Sequence, residues 1–238
     1  MSAALEAFAK PSAAFVMSLL RSYAPGSHAE LAEAIHGLDW DEFAAAVSAM
    51  QRSLPAVLGP DAFPRLLVRQ EAHENSGAEI IGYVADTVSE PHHRAIMKSH
   101  AADESRHASM FLALRRLLSP GKRVAALTSE EADPYLARYE GDLASFLWDT
   151  HFAEINSIFY LDSMRMAVSH PDATIGHKID AALTKVIADE RRHVASTASI
   201  LSELFEHDSL MVERMRASFA DHAAALREQA ARLASEFT

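Results

Sequence analysis

Four stretches of this chain, roughly residues 61–88, 91–118, 141–169 and 173–206, carry apolar stripes at alternating three- and four-residue steps, and each stripe contains a glutamate. Such spacing puts the stripe on one face of an α-helix. The first reads Leu67, Glu74, Ala78, Ile81, Val88, and the second Ile96, His100, Glu104, His107, Phe111, Leu114. The third reads Leu147, His151, Glu154, Ile158, Leu161, and the fourth Ile179, Val186, Glu190, His193, Thr197, Leu204. An ionised carboxylate moved into a core is costly unless it is paired or binds a metal. Acid and imidazole groups on the inward face of four helices therefore call for cations in the interior.

Proline and glycine cut the chain into helix-sized blocks. Residues 1–60 are expected to form an N-terminal layer of short helices, broken at Pro25-Gly26, Gly37 and Pro55. Residues 61–206 hold the four long segments, and residues 207–238 a last amphipathic helix over about 209–235, all within one domain. The turn Ser89-Glu90-Pro91 is short, with Ser89 placed to cap and Pro91 early in the next helix, so the first two long helices are antiparallel neighbours. The third and fourth are joined as tightly around Ser169-His170-Pro171. Ser119 to about Glu140 is long enough to cross the length of a bundle. No strand-like alternation is long enough for a sheet, so the expected class is all-α.

Two of the inward glutamates have a histidine three residues later, on the same helix face: Glu104-Ser-Arg-His107 and Glu190-Arg-Arg-His193. A lone E-x-x-H is a weak signal, and Glu33 to His36 and Glu90 to His93 repeat it on what read as solvated faces. The longer pattern D-E-x-R-H, present at Asp103–His107 and again at Asp189–His193, is far more specific. Each copy follows a helix with a candidate Glu, at Glu74 and Glu154. Four carboxylates and two imidazoles can neutralise two divalent ions and leave positions for water or oxygen. The competing reading, a bundle with buried salt bridges and no metal, leaves the repeat of the motif unexplained and the buried charges uncompensated. For the first helix Glu71 and Glu79 compete with Glu74. Glu74 fits the stripe best and Glu71 is the fallback. His100 and His151, each one turn before a Glu, either ligate a metal or are core histidines bonded to a carboxylate. His73, His92 and His93 read as surface.

Composition narrows the chemistry. The chain has no Cys, which removes disulfides, thiolate zinc and rubredoxin-type iron, so a metal must be held by His and carboxylate. A formal charge of −11 argues against nucleic-acid binding. No uncharged apolar run is long enough to span a bilayer. The opening residues place an acidic group early and have no basic start before an apolar run, so no secretory signal is expected and the expected compartment is the cytoplasm.

On the two D-E-x-R-H motifs, and over residues 61–206, the chain resembles the ferritin-like di-iron carboxylate superfamily, in particular its oxygen-activating members. These include monooxygenase hydroxylase subunits, acyl-carrier desaturases and aminobenzoate N-oxygenases. The resemblance implies a four-helix bundle with one long crossover holding two Fe ions, an Mn/Fe pair being the other content such ligands admit. It implies that Glu104 and Glu190 bridge or chelate, that His107 and His193 serve one metal each, and that Glu74 and Glu154 complete the set. Asp103 and Asp189 would accept hydrogen bonds from ligand imidazoles, with Arg106 and Arg192 balancing their charge. Some N-oxygenases of the superfamily add a histidine in an H-x-x-x-E-x-x-H run; here that run is His100-Glu104-His107, while Val186 stands at the matching place of the fourth helix.

A ribonucleotide-reductase-type radical generator needs a Tyr one turn past the first motif, where this chain has Phe111. Ferritins usually lack the second full motif. The favoured expectation is a non-haem di-iron oxygenase or oxidase that uses O2 to hydroxylate or N-oxygenate a small organic substrate, and the alternative is a ferroxidase without an organic substrate. Met110, Phe111, Trp148, Ile158 and Tyr160 are candidate cavity walls. With no reductase domain in the chain, electrons are expected from a separate ferredoxin or flavoprotein. The oligomeric state is open, a homodimer being the commonest assembly.

Overall fold

The structure is a computed structural model that describes residues 33–35, 37–57, 63–120, 139–168, 170–205 and 210–236. It is all-helical, with no strand among the described residues. We number the helices α1 (Trp40–Val57), α2 (Phe63–Thr87), α3 (Pro91–Leu118), α4 (Leu143–Ala167), α5 (Ala173–Phe205) and α6 (Met211–Glu236). The helices α2 to α5 follow the four long periodic segments, and α6 follows the last one.

Local chemistry sets the ends. Glu90, rather than the expected Ser89, caps α3: its side chain accepts a hydrogen bond from His93 N at 2.7 Å, and Pro91 follows at the first position. The longer Glu side chain reaches forward to the third residue of the helix to do this, so the Glu90 to His93 pair is a capping device. Asp142 caps α4 by accepting from Ala144 N, after Gly141 at φ +92° turns the chain. Asp172 accepts from Thr174 N and Ile175 N where α5 begins.

α2 packs on α3, α4 on α5, and α3 on α5. Asp103 and His107 of α3 meet His193 and Asp189 of α5 respectively, so α3 and α5 are antiparallel. His151 and Glu154 of α4 likewise meet Thr197 and His193 of α5. α3 and α4 are thus parallel, and Leu143 lies with Val88 and His93 at the end where α3 begins. Leu118 and Leu143 therefore stand at opposite ends of the bundle. Residues 121–138, where the crossover is expected, lie outside the described residues, as do residues 1–32 of the N-terminal layer.

α4 is buried nearly all round, from Phe146 and Trp148 to Tyr160 and Met164. A helix apolar on every face must be covered on every face. One side faces the bundle, and α1 and α6 pack together over the other. Trp40 and Phe43 of α1 meet Phe219 of α6 at ring-centroid distances of 4.7 and 5.6 Å, and Phe219 meets Phe152 of α4 at 5.4 Å. Each such ring removed from water contributes about 2–3 kcal/mol.

Candidate metal centre

The inward stripes of α2 to α5 converge at mid-height. Ligand atoms of His100, Glu104, Glu154 and His193 lie within 4.8 Å of one another, as do those of Glu74, Glu104, His107 and Glu190, and all seven residues are buried. Either group could hold a metal ion. Glu104 belongs to both, and its Oε1 stands 3.2 Å from His193 Nδ1, 3.4 Å from His100 Nε2 and 3.8 Å from His107 Nδ1. That oxygen is buried and makes no aligned hydrogen bond, an orphaned acceptor at the junction of the two groups. Glu190 divides its oxygens in the same manner, Oε1 at 3.3 Å from His107 Nδ1 and Oε2 at 3.0 Å from His193 Nδ1. A pair of hard or borderline dications bound by oxygen and imidazole fits this donor set.

Gly77 of α2 stands against this shared carboxylate. A Cβ there would meet Glu104 Oε2 at 3.4 Å and Glu104 Cγ at 3.7 Å. Glycine inside a helix is unfavourable by roughly 1 kcal/mol against alanine; a Cβ would fit here in ordinary contact, and a larger branched side chain would crowd the shared carboxylate.

The two motifs exchange partners across the bundle. His107 Nε2 points at Asp189 Oδ2 at 3.2 Å, and His193 Nε2 at Asp103 Oδ2 at 3.3 Å. Each aspartate thus fixes the imidazole of the other motif, favouring the tautomer that leaves Nδ1 free to face the cluster. The arginines close the ring: Arg106 donates to Asp103 and, at 2.7 Å, to Asp189, while Arg192 donates to Asp103 and, at 2.6 Å, to Asp189. Lys185 adds a contact to Asp189 at 2.8 Å. Burial pushes the Asp103 carboxyl up, but Arg192, Arg106 and His193 outweigh it and hold it at about 2. Burial likewise opposes the charge on Asp189, and Lys185, Arg192 and Arg106 hold it well below the usual carboxylate range.

Inside the cluster the charges are mutually dependent. Burial, then the charges of Glu104 and Glu190, push the Glu74 carboxyl up, and burial beside Glu154 pushes Glu190 up. Burial disfavours imidazolium, yet Glu154 and Glu104 overcome it and raise His100 to about 9. His193 is also raised, burial being outweighed by Glu104, Glu154 and Glu190. With no dication, protons must supply the positive charge.

His100 and His151 part company. His100 Nε2 lies 2.8 Å from Glu154 Oε1, and its ring stacks on His193 with centroids 3.8 Å apart. His151 turns to Thr197, Nδ1 to Oγ1 at 2.8 Å, packs its edge on Trp148, and is held neutral by burial at about 4. Both lie on the side of the cluster where α3 and α4 begin. Of the first-helix carboxylates, Glu74 is the one brought into the cluster, Glu71 pairs with Arg115 at 2.9 Å, and Glu79 is exposed.

His93 corrects the surface reading. It is buried and pairs with Glu203 of α5 at 2.8 Å. Its position was legible: it stands seven residues, two turns, before His100 and so on the same stripe. His92 is exposed, and His73 is half-buried. Phe111, Trp148, Ile158 and Tyr160 are buried and Met110 half-buried, but the cleft of about 410 Å³ at the bundle end is lined by none of them; Thr87, His93, Tyr139, Leu143 and Glu203 are among its walls.

No protein-family model, no curated protein and no solved structure matches the chain. No helix among the described residues is long and apolar enough to cross a membrane.

Proposed function

We propose that this protein is a ferritin-like di-iron oxygenase or oxidase acting on a small organic molecule. The observation that carries the proposal is the orphaned Oε1 of Glu104, common to two buried groups of carboxylate and imidazole. The helix order supports the fold assignment: two antiparallel pairs, with the second and third helices parallel and their linked ends far apart. A di-iron pair bound here would supply the electrons and the Lewis acidity that activate O2 for transfer of one oxygen atom to substrate.

The chain's own residues do the positioning. Glu104 belongs to both groups and Glu190 reaches from the Glu74 group to His193, while Glu74 on one side and Glu154 on the other complete them. Asp189 and Asp103 hold the imidazoles of His107 and His193 against rotation. His100 makes the centre unequal, since the Glu154 group then offers two imidazoles and the Glu74 group one. An asymmetric pair suits binding of a reactant at one end better than storage of many ions. His151, neutral and bonded to Thr197 beside that same group, is placed to hold a hydrogen bond without adding charge.

Anaerobic loading with ferrous iron followed by rapid mixing with oxygen tests this. Two irons per chain and a transient near-visible absorption band are expected. Rapid oxidation of many irons per chain, building a mineral, would replace the proposal with iron storage.

A further inference from the structure

Three charged side chains at the surface are tied to the candidate metal centre through Asp103 and Asp189. The side chains of Arg106, Lys185 and Arg192 are 43, 54 and 50% exposed, whereas those of Asp103 and Asp189, which they bind, are 11 and 0% exposed. The outward surface of this network is therefore cationic and its anions face inward. The pattern holds over the middle of both helices, exposed Asp180 and Glu203 lying beyond it on α5. Between Ser99 and Met110 of α3, and between Lys185 and Ser199 of α5, the exposed charged residues are Arg106, Lys185, Arg191 and Arg192, while Asp103, Glu104, Asp189 and Glu190 are all buried. The remaining exposed positions in these spans are small and neutral: Ser99, Ala102, Ser105, Ser109, Ala188, Ala195 and Ser199. In a chain with 33 acidic and 22 basic side chains, a face without an exposed carboxylate is a marked departure from the surface average.

On this face bonded groups run from the surface to the cluster. From exposed Arg106 the path runs through Asp189 at 2.7 Å to His107 Nε2 at 3.2 Å, and the other nitrogen of that ring faces the cluster. From Arg192 the path runs through Asp103 to His193. Flat, small-residue relief permits close approach of another protein, and its positive sign selects the partner.

We infer that this α3–α5 face is the docking surface for a small acidic one-electron donor protein of the ferredoxin class, an inference that rests on the di-iron oxygenase reading. The chemistry requires an external donor: one oxygen atom of O2 enters the substrate and the other leaves as water, consuming two electrons and two protons. Two donor molecules, each oxidised by one electron, supply the electrons, and solvent supplies the protons. The donor's acidic surface meets Arg106, Lys185, Arg191 and Arg192 and is steered there from a distance.

The test uses the full chain and a plant-type [2Fe–2S] ferredoxin as probe. Binding is measured by calorimetry on the protein as purified, and electron transfer by stopped-flow reduction of the iron-loaded protein. Ala188→Glu and Ala195→Glu place acid on the face one turn from Lys185, Arg191 and Arg192 without altering a residue of the network, and Asn75→Glu, exposed on α2, is the control. Each face variant is expected to weaken binding and to slow ferredoxin-driven reduction about tenfold. Dithionite reduction should be unchanged, and raising salt should weaken the wild-type complex. Absence of a complex, or equal effects of Asn75→Glu and the face variants, would overturn the inference. If the protein takes up no iron, the oxygenase reading fails, while the calorimetric comparison still decides whether acidic partners dock on this face.

Discussion

Glu104 contributes an oxygen to both groups of candidate ligands, whereas Glu154 contributes to one. Replacing them should therefore have unequal effects. Glu104→Ala is expected to abolish binding of both ions, and Glu154→Ala to leave about one per chain, as read by metal analysis after equilibrium dialysis. Asp189→Asn keeps the shape beside His107 but replaces an anionic acceptor with an amide, and metal affinity should fall by about 10–100-fold. Competition with a chromogenic chelator measures that fall. His100→Ala should shift the absorption of the loaded centre, while His151→Ala, removing a group bonded to Thr197, should leave the metal count unchanged. At this scale the repeated D-E-x-R-H motif made the residue types and their depth legible. The exchange of aspartates between motifs was not, because it depends on the antiparallel register of α3 against α5, which neither segment encodes alone. His93 was passed over for a simpler reason: its place on the stripe is plain only when the His93, His100, His107 series is counted in sevens.

Among the elements, α2 and α4 depend most on their neighbours. Gly77 of α2 faces the Glu104 carboxylate of α3, a position the sequence marks only as a glycine inside a helical pattern. Gly77→Val should displace the Glu104 carboxylate, lowering metal content while far-ultraviolet circular dichroism keeps its helical signal. α4 is sandwiched between the cluster and the α1–α6 pair, and Phe43 of α1 is fully buried in that layer. Phe43→Ala should cost about 3–5 kcal/mol in denaturant unfolding, with the metal count retained in the folded protein. The bounds of the long helices were close to legible from their stripes. The cap at Glu90 was not, since Ser89 is the better capping residue by propensity and the longer carboxylate won by reaching His93 N.

The molecule as a whole places four carboxylates and three imidazoles in a single buried centre, so its stability must depend on what neutralises them. In the metal-free protein, His100 is raised to about 9 from an ordinary 6.5, so the stability it contributes is complete below 6.5 and lost as pH rises through 9. The raised carboxyls of Glu74 and Glu190 act in the same direction, their contribution being lost as pH climbs above the ordinary 4.5. The melting temperature of metal-free protein should therefore fall between about pH 6.5 and 9, and added dication should remove that fall by replacing the protons. Thermal melts at both pH values, with and without metal, measure it. The proposed dinuclear centre is tested most directly by counting: anaerobic equilibrium dialysis of the wild-type chain against ferrous iron, followed by elemental analysis. Two tightly held ions per chain are expected, and uptake no greater than that of Glu104→Ala would contradict a dinuclear metal centre.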